Sequence, residues 1–237
     1  MFDKYFDAFS EYGVISKALS GERSQELSIK LIPVSIPKHC QKGFKGVDSA
    51  PYGGGAGMVM RADALKEALY EGIIKPGKYT DLKKELHIVY PAPRGKTWSN
   101  ERAKEFAKER FSNDSSKDIV FICGRYEGVD ERFLNNYVDE YISIGNFILT
   151  GGELAVMTVL DSSLRFVDDI LGNKASAVDE SFNDNKIEYP LYTRPMEFEG
   201  VSPPSTLTGG DHKKIDELRE SQKDEMTKTY REDLLID

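Results

Sequence analysis

The sequence predicts an α/β fold built on a mostly parallel sheet with helices on both faces. Three observations lead there. Short β-branched and aromatic runs, such as Asp118-Ile119-Val120-Phe121-Ile122, alternate with stretches whose apolar residues recur at helical spacing. That run then breaks into the glycine-bearing turn Cys123-Gly124-Arg125-Tyr126-Glu127-Gly128. Ligands collect at the carboxyl ends of strands in open α/β sheets, and glycine there permits close backbone approach.

In chain order, Phe2, Tyr5, Phe6, Phe9, Val14, Ile15 and Leu19 fit one or two amphipathic helices broken near Gly13. Leu27 to Val34 alternates and predicts a strand. Residues 61–74 predict a helix with Ala62, Leu65, Ala68, Leu69 and Ile73 on one face, and residues 75–86 a charged surface excursion. His87-Ile88-Val89-Tyr90 predicts a short strand stopped by Pro91-Ala92-Pro93-Arg94-Gly95. Ser99 is a candidate N-cap for a helix reaching Arg110. After the 118–122 strand come a helix over Glu131 to Tyr141, a glycine-rich stretch over Ile142 to Glu153, and a buried helix from Leu154 to Leu164. Composition turns polar after about Leu171. A first domain over 1–171, a flexible linker over 172–189 and a small helical domain over 190–237 are expected, the last carrying a helix from Lys213 to Glu232.

The 237 residues are 39% hydrophobic and 30% charged, which suits a soluble globular protein with a real core. A net charge of −8 argues against a surface coated in basic residues, and DNA is not an expected partner. Lys38, Lys42 and Lys45, and Lys213 with Lys214, can still concentrate positive charge locally. No apolar run approaches the roughly 18 residues of a membrane helix, and Met1-Phe2-Asp3-Lys4-Tyr5 opens no signal peptide. A cytoplasmic protein with two free thiols, Cys40 and Cys123, is expected, with no membrane partner.

Generic motifs exclude more than they assign. Pro51-Tyr52-Gly53-Gly54-Gly55-Ala56-Gly57-Met58 has no Lys-Ser or Lys-Thr after its glycines and matches neither the phosphate-loop nor the dinucleotide pattern. His39, His87 and His212 stand in no paired ligand spacing, so no metal site is expected from them. No G-x-S-x-G elbow exists, and Cys123 at the end of an apolar strand reads as a buried, inert thiol. Glycine-lined strand ends with carboxylates and arginines nearby suit a bound cofactor and proton abstraction better than covalent catalysis.

Four stretches occur together in this order: Pro51 to Met58, Cys123 to Arg132, Ser143 to Glu153, and Tyr192-Thr193-Arg194-Pro195. Over almost the whole chain this resembles the bacterial tRNA (guanine-N1)-methyltransferases, the TrmD family of the SPOUT superfamily. The resemblance implies a SPOUT-type sheet with a deep C-terminal trefoil knot and S-adenosylmethionine held in the knot. It further implies a homodimer and methylation of N1 of guanosine 37 in tRNAs where a guanosine precedes it. The partner would then be the tRNA anticodon stem-loop, and Mg²⁺ dependence is a family expectation.

Carried over residue by residue, the resemblance gives cofactor contacts to Tyr90, Pro91, Ala92, Arg94 and Gly95, then to Gly124, Tyr126, Glu127 and Gly128. From the third stretch it gives them to Ser143, Ile144, Gly145, Phe147, Leu149, Gly151 and Gly152. Glu127 can face the ligand's positive charge. Arg165 falls where the family places an arginine that assists the target guanine. Asp48, Tyr52, Gly53, Gly54, Tyr192 and Arg194 match substrate-binding stretches. The family's general base is an aspartate two residues before a phenylalanine; here Glu180 stands there, with Asp179 beside it, and both are candidates.

Other departures are Ser49 for a second aspartate, Asn146 and Phe147 for an Asp-Tyr pair, and Arg94 for a glutamine. The strand that the family carries before the phenylalanine matching Phe2 is almost absent: either translation of the natural protein begins upstream, or the chain folds without that strand and is expected to leave an open sheet edge or apolar face. The altered acids keep two other readings open. One is a catalytically impaired tRNA- or cofactor-binding homologue; the other is a SPOUT methyltransferase acting on another RNA base.

Overall fold

A computed structural model of the chain describes residues 4–19, 29–40, 46–112, 114–167, 170 and 180–235. The chain divides into two compact units, Met1–Gly172 and Asn173–Asp237. Among the described residues no helix is long and apolar enough to cross a membrane.

The first unit opens with α1 (Lys4–Glu11) and α2 (Gly13–Leu19), separated where Gly13 takes a left-handed φ of 86°. A short α3 (Ile36–His39) follows. β1 (Asp48–Ser49) and β2 (Val59–Met60) then pair antiparallel around the glycine-rich loop, Asp48 opposite Met60. The predicted 61–74 helix is α4 (Ala62–Leu69), which buries Ala64, Leu65, Ala68 and Leu69 and runs on through a π-helical turn, Tyr70–Ile74, into α5 (Lys75–Gly77). α6 (Leu82–Glu85) falls inside the expected surface excursion, where the Asp81 side chain accepts from the Lys84 amide and caps it.

The sheet is three-stranded, parallel and ordered β4-β3-β5, with β3 (Leu86–Thr97) between β4 (Asp118–Phe121) and β5 (Glu140–Ser143). Two boundaries differ from the sequence reading. Pro91 to Gly95 does not stop the strand at Tyr90: the chain bulges there and rejoins β5, so that Pro91 and Lys96 both lie opposite Ile142. The helix expected to reach Tyr141 is α8 (Glu131–Tyr137), and the next residues enter the sheet as β5. Asp139 makes that switch, its amide donating to Ile88 O at 2.8 Å and its carboxylate accepting from Ile88 N at 2.9 Å.

A third expectation fails. Residues 29–35 form no strand; Pro33 has no N–H to offer a ladder. This segment lies across a cavity of about 950 Å³ from β4, lined by Ile29, Leu31, Phe121, Ile122 and Val156 among others. Among the described residues β4 pairs with β3 alone.

α7 (Asn100–Arg110), capped by Ser99 accepting from Arg102 N, and α9 (Glu153–Leu164) cover the sheet. Fully buried Phe106 of α7 packs with Val89, Ile142 and Val159, edge-on to Trp98 and Phe111. On the other side Ile88, Tyr90 and Ile122 meet Leu65, Leu69, Phe133 and Leu134. Beneath the sheet's amino end, Glu140 accepts from Arg102 Nη2 at 2.9 Å and lies 2.8 Å from His87 Nε2. Burial alone would raise its pKa, but these two partners outweigh it and hold the carboxyl below its ordinary value.

The second unit is organised on α11 (His212–Tyr230), preceded by α10 (Ser205–Thr208) and followed by a 3₁₀ turn, Glu232–Leu235. Fully buried Thr227 accepts from Ile187 N at 2.9 Å, and Lys186 pairs with Glu220 and Asp224. Tyr189 lies under Arg219 and Lys223. Residues 186–189 are therefore fastened to α11.

Candidate active site

Three glycine-bearing stretches far apart in sequence meet at the bulge of β3 and the carboxyl ends of β4 and β5. The contacts are too close for any other residue type. A Cβ on Gly95 would overlap the backbone of Ile142, and one on Gly152 would stand 2.9 Å from Cys123 Cα and 3.0 Å from Gly124 N. A Cβ on Gly124 would lie 2.7 Å from the Tyr90 hydroxyl. The Gly152 amide donates to Gly124 O at 2.9 Å, locking the second stretch to the third. Residues 90–95, 124–128 and 143–152 thus form one backbone-lined cradle.

Within it the residues differ in role. Tyr90 is buried, so its ring supports Gly124 from below. Tyr126 is half exposed and left-handed, with φ of 58°, a conformation that a non-glycine residue holds only when its surroundings enforce it. The Phe147 ring lies on Gly145, and a Cβ there would meet it at 2.7 Å. Ser143 Oγ closes the turn with Gly145, while Ile144, Leu149 and Gly151 are partly buried and Gly152 is buried. Pro91 and Ala92 are partly buried at the bulge.

The glycine-rich loop joins the cradle at its root. The Glu127 amide donates to Met58 O at 2.9 Å, Met60 N to Gly128 O at 2.9 Å, and Asp130 N to Met60 O at 3.0 Å. The Glu127 side chain fills the space where a Gly57 Cβ would be, 2.5 Å away. Asp48 sits opposite Met60 in the hairpin, while Tyr52, Gly53 and Gly54 are exposed at its tip, both glycines left-handed.

The charges suit a cationic ligand. Glu127 is exposed at the rim. Arg94 is held by both oxygens of Glu131, at 3.0 and 2.8 Å, and lies 4.6 Å from the Tyr141 ring centre. That pairing raises the arginine's pKa and lowers the glutamate's. Arg125 is paired with Glu153 at 2.9 Å. A backbone-lined cradle with a carboxylate at its rim and its arginines neutralised fits S-adenosylmethionine, which offers an adenine edge and a positive sulfur.

Arg165 caps the end of α9 in the first unit, 5.6 Å from the Phe166 ring centre. Glu180 lies in the second unit, two residues before Phe182, which is left-handed with φ of 75° and whose amide donates to Lys186 O. Tyr192 and Arg194, also in the second unit, are exposed. Asp179 lies outside the described residues. The cradle therefore gathers the residues expected to contact a cofactor and the root of the glycine loop, while Glu180, Tyr192 and Arg194 belong to the other unit.

The Cys123 thiol is pushed up to about 12 by burial and by the Glu153 carboxylate, which leaves it no nucleophilic role. Among the described residues no group of three or more His, Cys, Asp or Glu is placed to hold a metal. The sequence reading missed Glu131 as the clamp on Arg94 and Glu153 as the partner of Arg125. Arg94, Arg125 and Glu153 each adjoin a glycine, but Glu131 does not, and nothing local connects one partner to the other.

A family model described as "tRNA (Guanine-1)-methyltransferase TrmD" matches residues 1–237. A protein of Lactobacillus delbrueckii subsp. bulgaricus named tRNA (guanine-N(1)-)-methyltransferase is 41% identical over 218 residues, covering 92% of this chain and 82% of that relative. Proteins of the same name from Staphylococcus carnosus and Clostridium perfringens are 38% and 39% identical over 99% of this chain, covering 88% and 90% of their own lengths. With its whole length matched and its glycine stretches converging at the strand ends, the chain belongs to the TrmD family of tRNA (guanine-1)-methyltransferases.

Proposed function

We infer that this protein is an S-adenosylmethionine-dependent enzyme that methylates N1 of guanosine 37 in tRNAs in which a guanosine precedes it. The observation that carries the reading is the close approach of Gly95 to the Ile142 backbone, of Gly124 to the Tyr90 ring and of Gly152 to the backbone of Cys123 and Gly124, beside three parallel strands. Family membership supplies the reaction. The three stretches are taken as the walls of a trefoil knot, followed by a linker over 172–189, whose last residues 186–189 are fastened to α11, and a tRNA-binding domain over 190–237. The enzyme is read as a cytoplasmic homodimer.

S-adenosylmethionine, when bound, supplies a methyl group made electrophilic by its positive sulfur. Tyr90, Pro91, Ala92, Arg94 and Gly95, then Gly124, Tyr126, Glu127 and Gly128, then Ser143, Ile144, Gly145, Phe147, Leu149, Gly151 and Gly152 would hold it, and the Glu127 carboxylate would offset its positive charge. Glu180 accepts the guanine N1 proton, with Asp179 as the other candidate. Arg165 stabilises the negative charge that spreads to O6 as that proton leaves. Asp48, Tyr52, Gly53 and Gly54, with Tyr192 and Arg194, hold the anticodon stem-loop, and the target base leaves its stack to reach the pocket. Mg²⁺ dependence belongs to this reading and is checked by adding a chelator to the assay.

The deciding experiment is methyl transfer to a guanosine-36, guanosine-37 tRNA transcript, followed by nucleoside mass spectrometry. 1-Methylguanosine at position 37 is expected, and none when position 37 is adenosine. Binding of both ligands without turnover would identify an impaired homologue. Methylation of a different nucleoside would identify another RNA base as target.

A further inference from the structure

Glu153, the first residue of α9, is a charged side chain only 4% exposed. Its Oε1 accepts from Arg125 Nε at 3.2 Å, and its Oε2 lies 2.9 Å from Arg125 Nη2. Arg125 stands in the middle of Gly124 to Gly128; Glu153 directly follows Gly151-Gly152. The pair therefore bridges the second and third walls of the cradle. On the Gly151 side the pair is closely packed: a Cβ there would meet Glu153 Oε2 at 2.6 Å and Arg125 Cζ at 2.8 Å, while Glu153 also borders the cavity described above. The Arg125 amide also donates to Met60 Sδ at 3.2 Å, tying the same residue to β2.

Burying two charges is a poor way to gain stability, because removing them from water offsets most of their attraction. An apolar pair of similar volume often holds a fold as well. What an apolar pair lacks is direction. The hydrogen bond from Arg125 Nε to Oε1 is directional, and the 2.9 Å charge contact between Nη2 and Oε2 holds the second oxygen beside it without a hydrogen bond of its own. Here that fixed geometry sets the gap between backbone segments that the proposed function lines with ligand.

We propose that Arg125 and Glu153 are positioning residues that hold the two cradle walls at the spacing required by the methyl donor, without touching it. This inference rests on the S-adenosylmethionine reading of the cradle. The pair has a second consequence: Glu153 neutralises a guanidinium that would otherwise stand near the donor's positive sulfur. Loss of the acid alone then weakens S-adenosylmethionine more than S-adenosylhomocysteine, whose sulfur is neutral.

The test is calorimetric binding of both ligands to full-length wild type, Arg125→Met/Glu153→Leu, Glu153→Gln and Arg125→Lys, with thermal midpoints measured in parallel. The double variant is expected to melt near wild type yet bind both ligands about tenfold or more weakly, since a misplacement of about 1 Å at a site can cost a hundredfold. Glu153→Gln is expected to lower the affinity ratio of S-adenosylmethionine to S-adenosylhomocysteine. Wild-type affinity for both ligands in a folded double variant overturns the proposal. Should the double variant not fold, Arg125→Lys decides: it keeps the charge and loses the fork, so weaker binding with an unchanged KM for tRNA supports positioning and unchanged binding refutes it. If wild type itself binds neither ligand, the cofactor reading fails instead.

Discussion

At the residue scale, the two neighbouring acids Asp179 and Glu180 separate by reach. They differ by one methylene and one chain position, enough to move a carboxylate by about 1 Å or more, which at a proton-transfer step can cost a hundredfold. Glu180→Gln is expected to lower kcat by about a hundredfold or more and Asp179→Asn by less than tenfold, in single-turnover methyl transfer. The reverse order would move the base to Asp179. Glu140 governs a different property. Its folded pKa is depressed, so its contribution to stability is complete above its ordinary value of 4.5 and is lost as pH falls through the folded value. Glu140→Gln should cost about 2 kcal/mol at neutral pH, the scale of a hydrogen bond to a charged group, and flatten the fall of the thermal midpoint below pH 4.5. An unchanged acid limb in the variant would show that other carboxylates carry it.

At the element scale, the cradle depends on backbone packed against backbone. Gly152 has an ordinary helical φ of −79°, so alanine there adds no backbone strain, only a methyl group 2.9 Å from Cys123 Cα. Gly152→Ala is expected to destabilise the first unit by about 1–3 kcal/mol and to reduce kcat/KM by more than its loss of stability explains. Wild-type kinetics would mean that the strand ends can separate without consequence. Elements whose signal is local were legible in the sequence: α4 from its apolar spacing, α7 from its helix-forming residues and the Ser99 cap, α9 from its apolar composition, β4 from its β-branched run. β5 was not, because Glu140-Tyr141-Ile142-Ser143 carries no strong strand pattern and is fixed by pairing with residues some fifty positions earlier. Leu27 to Val34 shows the opposite failure, since an alternating pattern makes no strand at 29–35 without a ladder partner. The cradle glycines could be read because their spacing is contiguous. The Arg125–Glu153 pair could not, since only the folded chain brings residue 125 to residue 153.

At the scale of the whole molecule, a chain with net charge −8 has to bind a polyanion through local clusters of cations. Even two neutralised phosphates make binding fall about tenfold between roughly 50 and 200 mM salt. tRNA affinity should follow that slope, while affinity for S-adenosylhomocysteine stays within about twofold. Filter-binding titrations at several salt concentrations check both, and a flat tRNA response would rule out recognition by phosphate contacts. The glycine-rich loop carries one more consequence. Its root at Met58 and Met60 is zipped to Glu127, Gly128 and Asp130, while Tyr52 at its tip is 96% exposed. The loop's base is thereby part of the cradle wall, and its tip stands in solvent as a surface continuous with the pocket's rim.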